Sequence, residues 1–256
     1  MKRLISLILF AIIFSMSGTT AFAAGDETST EMVILSASDD PYYSLAEEVS
    51  DAEGSPIYQT FENAAEAKPV FLLWVVAPEN LSESVLMDFS AKLKKLDSSI
   101  SVGIISGRTI EDARGLWKGS TQALVSDYAI INGTKENKIA PQIISGGDGQ
   151  SVIRELTMEN IQTVLQNSAA IQISLEGVAG SWFDQSLGIT VKSEDIPELD
   201  GCIIQNYGCS TFIPWAENSI ALQCISKGAS AYCGFIYPSI AGTRFGDYTD
   251  ISIIYT

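Results

Sequence analysis

The stretch Pro69–Val76, PVFLLWVV, carries no charge and no alternation of polar with apolar positions. A strand of this kind is covered on both faces, as in a parallel sheet lying between two layers of helices. It therefore sets the class of fold that the rest of the chain must complete. Met32-Val33-Ile34-Leu35 and Ile100–Ile105 are further short apolar runs. Asp39, Asp40 and Pro41 introduce a helical segment with Leu45, Ala46 and Val49 on one face. Gly54-Ser55-Pro56 is a turn, and Phe61–Ala67 is a short helix. Pro78 and Asn80 lead into a helix through Leu96, in which Leu86, Phe89, Leu93 and Leu96 keep helical spacing. Thr109, with Asp112 three residues on, caps a helix through Trp117. Ser120–Gln150 is less regular and reads as a crossing segment or surface excursion. Leu156–Asn160 opens a helix that turns Ile161, Val164 and Leu165 inward. Ala169–Leu175 is a strand that ends in a glycine-punctuated loop, Glu176–Phe183. This rhythm predicts an α/β domain, doubly wound, with a mainly parallel sheet and helices on both faces.

The segment Asp200–Ile236 reads as strand, loop, helix and strand. Gly201 opens the apolar run Cys202-Ile203-Ile204, and Asn206-Tyr207-Gly208 ends it. Cys209 and Ser210 thus lie just past the carboxyl end of a strand. Pro214 sits near the start of the next helix, on which Ile220, Ala221, Cys224 and Ile225 share a face. Lys227 and Gly228 are stop signals before the apolar Ala229–Ile236. The two strands of such a unit run parallel, and ligands of open α/β sheets bind beyond the carboxyl ends. Two polar strand ends, one bearing Glu176 and one bearing Cys209, are therefore expected at the same sheet edge.

Residue counts narrow the chemistry. The chain has no histidine, which excludes Ser-His-Asp and Cys-His arrangements within it and removes the usual general base near neutral pH. All four cysteines, Cys202, Cys209, Cys224 and Cys233, fall within Asp200–Ile236. They allow three complete disulfide pairings. Cys202, Cys224 and Cys233 read as structural, with Cys224 a small buried hydrophobe on a helix face. No CxxC pair is present, so no metal site is expected. No GxGxxG marks a strand–helix junction, and Ser145–Gly149 lacks the Lys-Ser or Lys-Thr of a phosphate loop and reads as a turn. No cofactor is expected.

Lys2 and Arg3, the apolar Leu4–Met16 and the small residues Ala21–Ala24 are the layout of a signal peptide over residues 1–24. That leaves a mature domain over 25–256, secreted or extracytoplasmic and without a membrane span. The net charge of −16 becomes −16 − 2 = −18 once Lys2 and Arg3 are removed. So acidic a surface argues against nucleic acid and anionic membranes as partners. Asp39-Asp40 reads as a solvated pair rather than a calcium site, because no EF-hand spacing accompanies it. Asn80-Leu81-Ser82 and Asn132-Gly133-Thr134 match the N-glycosylation pattern. Arg108, Arg114, Lys118 and Arg154 are scattered and read as surface residues.

Ala169–Ile236 resembles the catalytic half of the gingipain-type cysteine peptidases, relatives of the caspases. AAIQISLEGVAGSW is similar to their strand ending in His-Gly with a small-residue loop and a tryptophan. CIIQNYGCST and SIALQCISKGASAYCGFI are similar to their nucleophile strand, helix and following strand. The resemblance implies a caspase-like fold, Cys209 in the nucleophile position, and Gly177, Ser210, Thr211 and Trp182 lining the cleft. It also places Glu176 where the family has its histidine. An ionised carboxylate beside Cys209 raises the thiol pKa and cannot become the imidazolium acid that protonates a leaving amine. The family adds helices after the strand at Ile236, so the resemblance reads the chain as truncated. Three functions stay open at this point. One is a catalytically degenerate domain that binds a protein or peptide ligand. Another is an active cysteine-type hydrolase using Cys209 with Glu176 or a distant cation such as Arg244. The third is an unrelated α/β binding domain in which Cys209 is structural. Trp182, Trp215 and Phe212 would line a cleft in any of these, or serve simply as packing.

Overall fold

The computed structural model describes residues 31–96, 100–120, 127–134, 140–147, 150–236 and 253–255. The expected signal peptide and Arg244 lie outside the described residues. In chain order the first part contains β1 (Met32–Leu35), α1 (Tyr43–Glu53), β2 (Ile57–Tyr58), α2 (Phe61–Glu66), β3 (Phe71–Val75), α3 (Glu83–Leu93), β4 (Ser101–Ile105) and α4 (Ile110–Ser120). Then come β5 (Tyr128–Asn132), β6 (Gln142–Gly147), β7 (Gln150–Glu155), α5 (Met158–Asn167) and β8 (Ala170–Ser174). They are followed by β9 (Glu176–Val178), β10 (Ser181–Asp184), β11 (Ile189–Lys192), β12 (Ile203–Asn206), α6 (Ile220–Ser226), β13 (Ala231–Gly234) and β14 (Ile253–Tyr255). The fold is mixed α/β.

Eleven strands form one sheet in the order β2-β1-β3-β4-β14-β13-β12-β8-β5-β6-β7. β2, β1, β3 and β4 are parallel neighbours, as are β13, β12, β8 and β5. β14 runs antiparallel to β13 and meets β4 at the single pair Ile254 with Gly103. β3 lies inside the sheet, as its uninterrupted apolar sequence requires. Its Leu72 joins Val33, Leu35, Ala64 of α2 and Phe89 of α3 in one cluster. Val75 joins Ile34, Ile105, Leu45 and Val49 of α1, and Ala113 of α4 in another. Alternate residues of one strand thus face two helical layers. The wholly buried Leu45, Val49, Val75 and Ile105 contribute roughly 1.5–3 kcal/mol each.

Helix ends follow their local signals. Thr109 accepts from Asp112 N (3.1 Å) while Thr109 N donates to Asp112 Oδ2 (3.2 Å), the reciprocal box expected before α4. Thr157 and Ser82 accept from Asn160 N and Val85 N at the starts of α5 and α3. Gly228, with φ at +99°, ends the α6 turn in the left-handed conformation.

Three expectations need correction. Ser120–Gln150 is not merely a crossing segment: β5 and β6 lie in it and form an antiparallel ribbon with β7, in which Gly147 is opposite Gln150. The sheet is mainly parallel, as expected, with antiparallel pairs in this ribbon and between β13 and β14. Glu176–Phe183 is not a loop but the first two strands of a small antiparallel sheet in the order β11-β10-β9. Its glycines masked the alternation that signals a strand. α6 begins at Ile220, well after Pro214, because Ser219 rather than the proline caps it by accepting from Leu222 N (3.3 Å).

Candidate functional site

β8 and β12 are adjacent and parallel, with Ile173 opposite Asn206. Both chains consequently leave the sheet at the same edge, one through Leu175-Glu176-Gly177 and the other through Tyr207-Gly208-Cys209. The two tips are in backbone contact. A Cβ placed on Gly177 would overlap Thr211 Cγ2 and lie 3.0 Å from Cys209 O. One placed on Gly208 would lie 2.7 Å from Leu175 O. Glycine at both positions is what allows such an approach. Glu176 and Cys209 are half-buried.

The turn that carries Cys209 is tied down from below. Asn206 Oδ1 accepts from Gly208 N (2.6 Å), and Thr211 Oγ1 donates to Gly208 O (3.0 Å). Tyr232 of β13 donates its hydroxyl proton to Thr211 O (3.2 Å) and accepts from Trp182 Nε1 (3.4 Å). Burial pushes the Tyr232 hydroxyl pKa well above the usual phenol range. Phe212 N donates to Phe235 O (2.9 Å), which joins the turn to the end of β13. Ser210 holds a positive φ of 49°, a conformation that a residue with a Cβ seldom adopts. The small sheet is fastened to the same loop through Ile220 N, which donates to Ala179 O (2.8 Å).

Of the residues expected here, Glu176, Gly177, Cys209, Ser210 and Thr211 come together. Trp182 does not line a cleft: it is fully buried, as are Thr211 and Phe212, and together they form the floor beneath the tips. Trp215 is half-buried against the core. No disulfide links the four cysteines. Burial raises the thiol pKa of Cys202 and Cys233 to about 12 and that of Cys224 upward as well. These three thiols are packing groups, whereas Cys209 alone of the four reaches the surface.

Other edge residues carried little signal in the sequence. Asn206 is buried, and its Nδ2 has no partner. Asp184 is buried at the end of β10 and accepts from Thr134 N (2.6 Å), Thr134 Oγ1 and Leu187 N (3.0 Å). Burial disfavours its charge, but those hydrogen bonds prevail and hold its pKa below the ordinary value. Asp40 is a buried acceptor rather than a solvated one. It takes protons from Tyr42 N (2.8 Å), Ala77 N (3.1 Å) and Asn80 Nδ2 (2.7 Å), and so ties the ends of β1 and β3 together. Asn132 is buried, which removes its glycosylation pattern from the surface. Arg108 is more than a surface residue, because its Nη2 donates to Ser219 O (3.2 Å) and links the end of β4 to the loop before α6.

Among the described residues no helix is long and apolar enough to cross a membrane. No group of three or more Cys, Asp or Glu side chains there is placed to hold a metal ion.

No family model matches this chain, and no curated protein matches it. Its fold is similar to that of a solved structure described as "Structure of Protease". The TM-score is 0.52 at 12% sequence identity, over 85% of this chain and 61% of the other. The chain thus spans about three fifths of that structure's length. At such identity the likeness is one of fold, and it makes the architecture protease-like.

Proposed function

We propose that the chain is an exported domain of the caspase/gingipain-like fold, doubly wound about its sheet, that has lost peptidase chemistry and binds a protein or peptide at the edge bearing Glu176 and Cys209. The observation that carries the reading is the contact between the tips after β8 and β12, made through Gly177 and Gly208. It puts a thiol and a carboxylate on neighbouring strand ends in a chain that has no histidine. The protease-like architecture agrees with that ancestry. A carboxylate in the histidine position neither promotes the thiolate nor supplies an acid to the leaving group, so cleavage fails at both steps.

The test uses the mature protein with iodoacetamide and a peptidyl electrophile at neutral pH, read by mass spectrometry. Cys209 is expected to react at the pace of an ordinary thiol, with no peptide cleaved. Rapid labelling together with cleavage that Cys209→Ala abolishes would establish the hydrolase instead. Peptides selected from a displayed library against the protein should bind at least ~10-fold more weakly to Glu176→Lys, about 1.4 kcal/mol. Selected peptides indifferent to that change would place the binding face elsewhere.

A further inference from the structure

The sheet has two outer strands, and they differ in kind. β2 is two residues long, Ile57–Tyr58, which is a common way of blunting an edge. β7 is six residues long, Gln150–Glu155, and β6 is its only strand neighbour among the described residues. Alternate residues of β7 therefore turn their N–H and C=O groups outward. β7 also carries the two most exposed large apolar side chains of the described residues, Ile153 at 65% and Val152 at 51%. Being consecutive on a strand, they point to opposite faces of the ribbon. No single surface laid on one face covers both. A strand added alongside does, because it supplies a cross-strand neighbour on each face while pairing the outward backbone groups.

We propose that β7 is a self-association edge, at which a second copy of this chain pairs its own β7 antiparallel and continues the sheet across a two-fold axis. Charge does not oppose a second copy here. With 31 acidic against 15 basic residues, most faces of two copies repel. Gln150–Glu155 holds one arginine and one glutamate and is neutral. The geometry also restricts the register. Residues directly opposite in an antiparallel ladder either both bond across it or both turn away. Two identical strands must therefore pair positions of equal parity. Centring on Ile153 satisfies this: Ile153 meets Ile153, Val152 lies opposite Arg154, and Ser151 lies opposite Glu155. No like charges then face each other, and the Arg154 stem covers Val152. The Arg154 guanidinium donates to Ser145 Oγ on β6. The contact is self-complementary and closes at two copies.

A pairing made by one strand buries less than the ~1,200 Å² of a standard interface, so the expected dissociation constant is about micromolar or weaker. The mature protein is examined by sedimentation velocity from about 1 to 200 µM. A concentration-dependent dimer is expected, weakened at least ~10-fold by Ile153→Lys, which sets two like charges opposite each other on the axis. Leu187→Lys, at another exposed apolar residue (46% exposed), is expected to leave the dimer unchanged. Unchanged circular dichroism and melting temperature keep misfolding out of the result. A strict monomer at every concentration overturns the proposal, as does a dimer indifferent to Ile153→Lys. Equal weakening by Leu187→Lys overturns it too. The peptidase-fold reading concerns the carboxyl ends of β8 and β12, which β5 and β6 separate from β7, and survives either result.

Discussion

The contact between the two strand tips can be measured as a coupling energy. In Gly177→Ala the added methyl overlaps Thr211 Cγ2 and stands 3.0 Å from Cys209 O. Thr211 cannot swing aside cheaply: it is fully buried, its hydroxyl donates to Gly208 O, and its carbonyl accepts from Tyr232. Overpacking of this kind costs about 1–3 kcal/mol. Thr211→Ser removes the obstructing Cγ2 and keeps the hydroxyl. By itself it deletes one buried methyl, at roughly 0.5–1.5 kcal/mol as for Ile→Val. Independent sites would lose the sum in the double variant. Because the serine vacates the space the alanine methyl needs, the double variant should be no less stable than Gly177→Ala alone. That corresponds to a favourable coupling of at least about 0.5–1.5 kcal/mol, the whole cost of Thr211→Ser. Denaturant melts of the four proteins, followed by tryptophan fluorescence and circular dichroism with coincident transitions, give the cycle. Additivity within about 0.5 kcal/mol would mean that the tips do not touch, and the site would come apart with them.

Three further outcomes follow from the polar groups of the sheet edges. The Asp184 pKa is depressed in the folded state, so its share of stability is present above its unfolded pKa near 3.8 and is lost as pH falls through the lower folded value. Asp184→Asn should therefore flatten the loss of stability below about pH 4, and an unchanged acid limb in pH-dependent melts would count against the assignment. Asp40→Ala strips the acceptor from Tyr42 N, Ala77 N and Asn80, and should cost about 2–4 kcal/mol in a denaturant titration; a cost under about 0.5 kcal/mol would show that the clamp is idle. Ser36 and Ser106 bury hydroxyls without partners, so Ser36→Ala and Ser106→Ala should leave stability unchanged or raise it by up to about 1 kcal/mol. A loss above about 1 kcal/mol in either would reveal a partner, such as an ordered water.

The parallel strands were legible because uninterrupted apolar runs such as Pro69–Val76 have few other uses, and the helices because their apolar residues recur on one face. Boundaries moved where a side chain outside the pattern decided them, as when Ser219 rather than Pro214 started α6. The β5–β6–β7 ribbon was missed because β7 buries almost nothing: a strand exposed on both faces leaves no alternation in its sequence. The placing of the strand ends after β8 and β12 at one edge needed only adjacency and parallel direction, and both were readable. The depth of Trp182 and Asp40 was not. Aspartate is mostly exposed and tryptophan is seldom buried completely, and only the positions of Tyr232 and Ala77 show what each one bonds. Arg108 was opaque for the same reason, its partner lying far along the chain at Ser219.

The groups that hold the edge together are not the groups that would act there. Gly177 and Gly208 grant the approach, Asn206 and Thr211 fix the turn, and Tyr232 with Trp182 anchors it to the core. None of these side chains carries a charge or changes protonation near neutral pH. The side chain at position 176, in contrast, is half-buried at the tip and carries a carboxyl group. A substitution there changes the charge at the tip, whereas the turn is held by backbone proximity and by hydrogen bonds one layer down. On the proposed function, loss of a catalytic imidazole and retention of a binding edge would then be separable events.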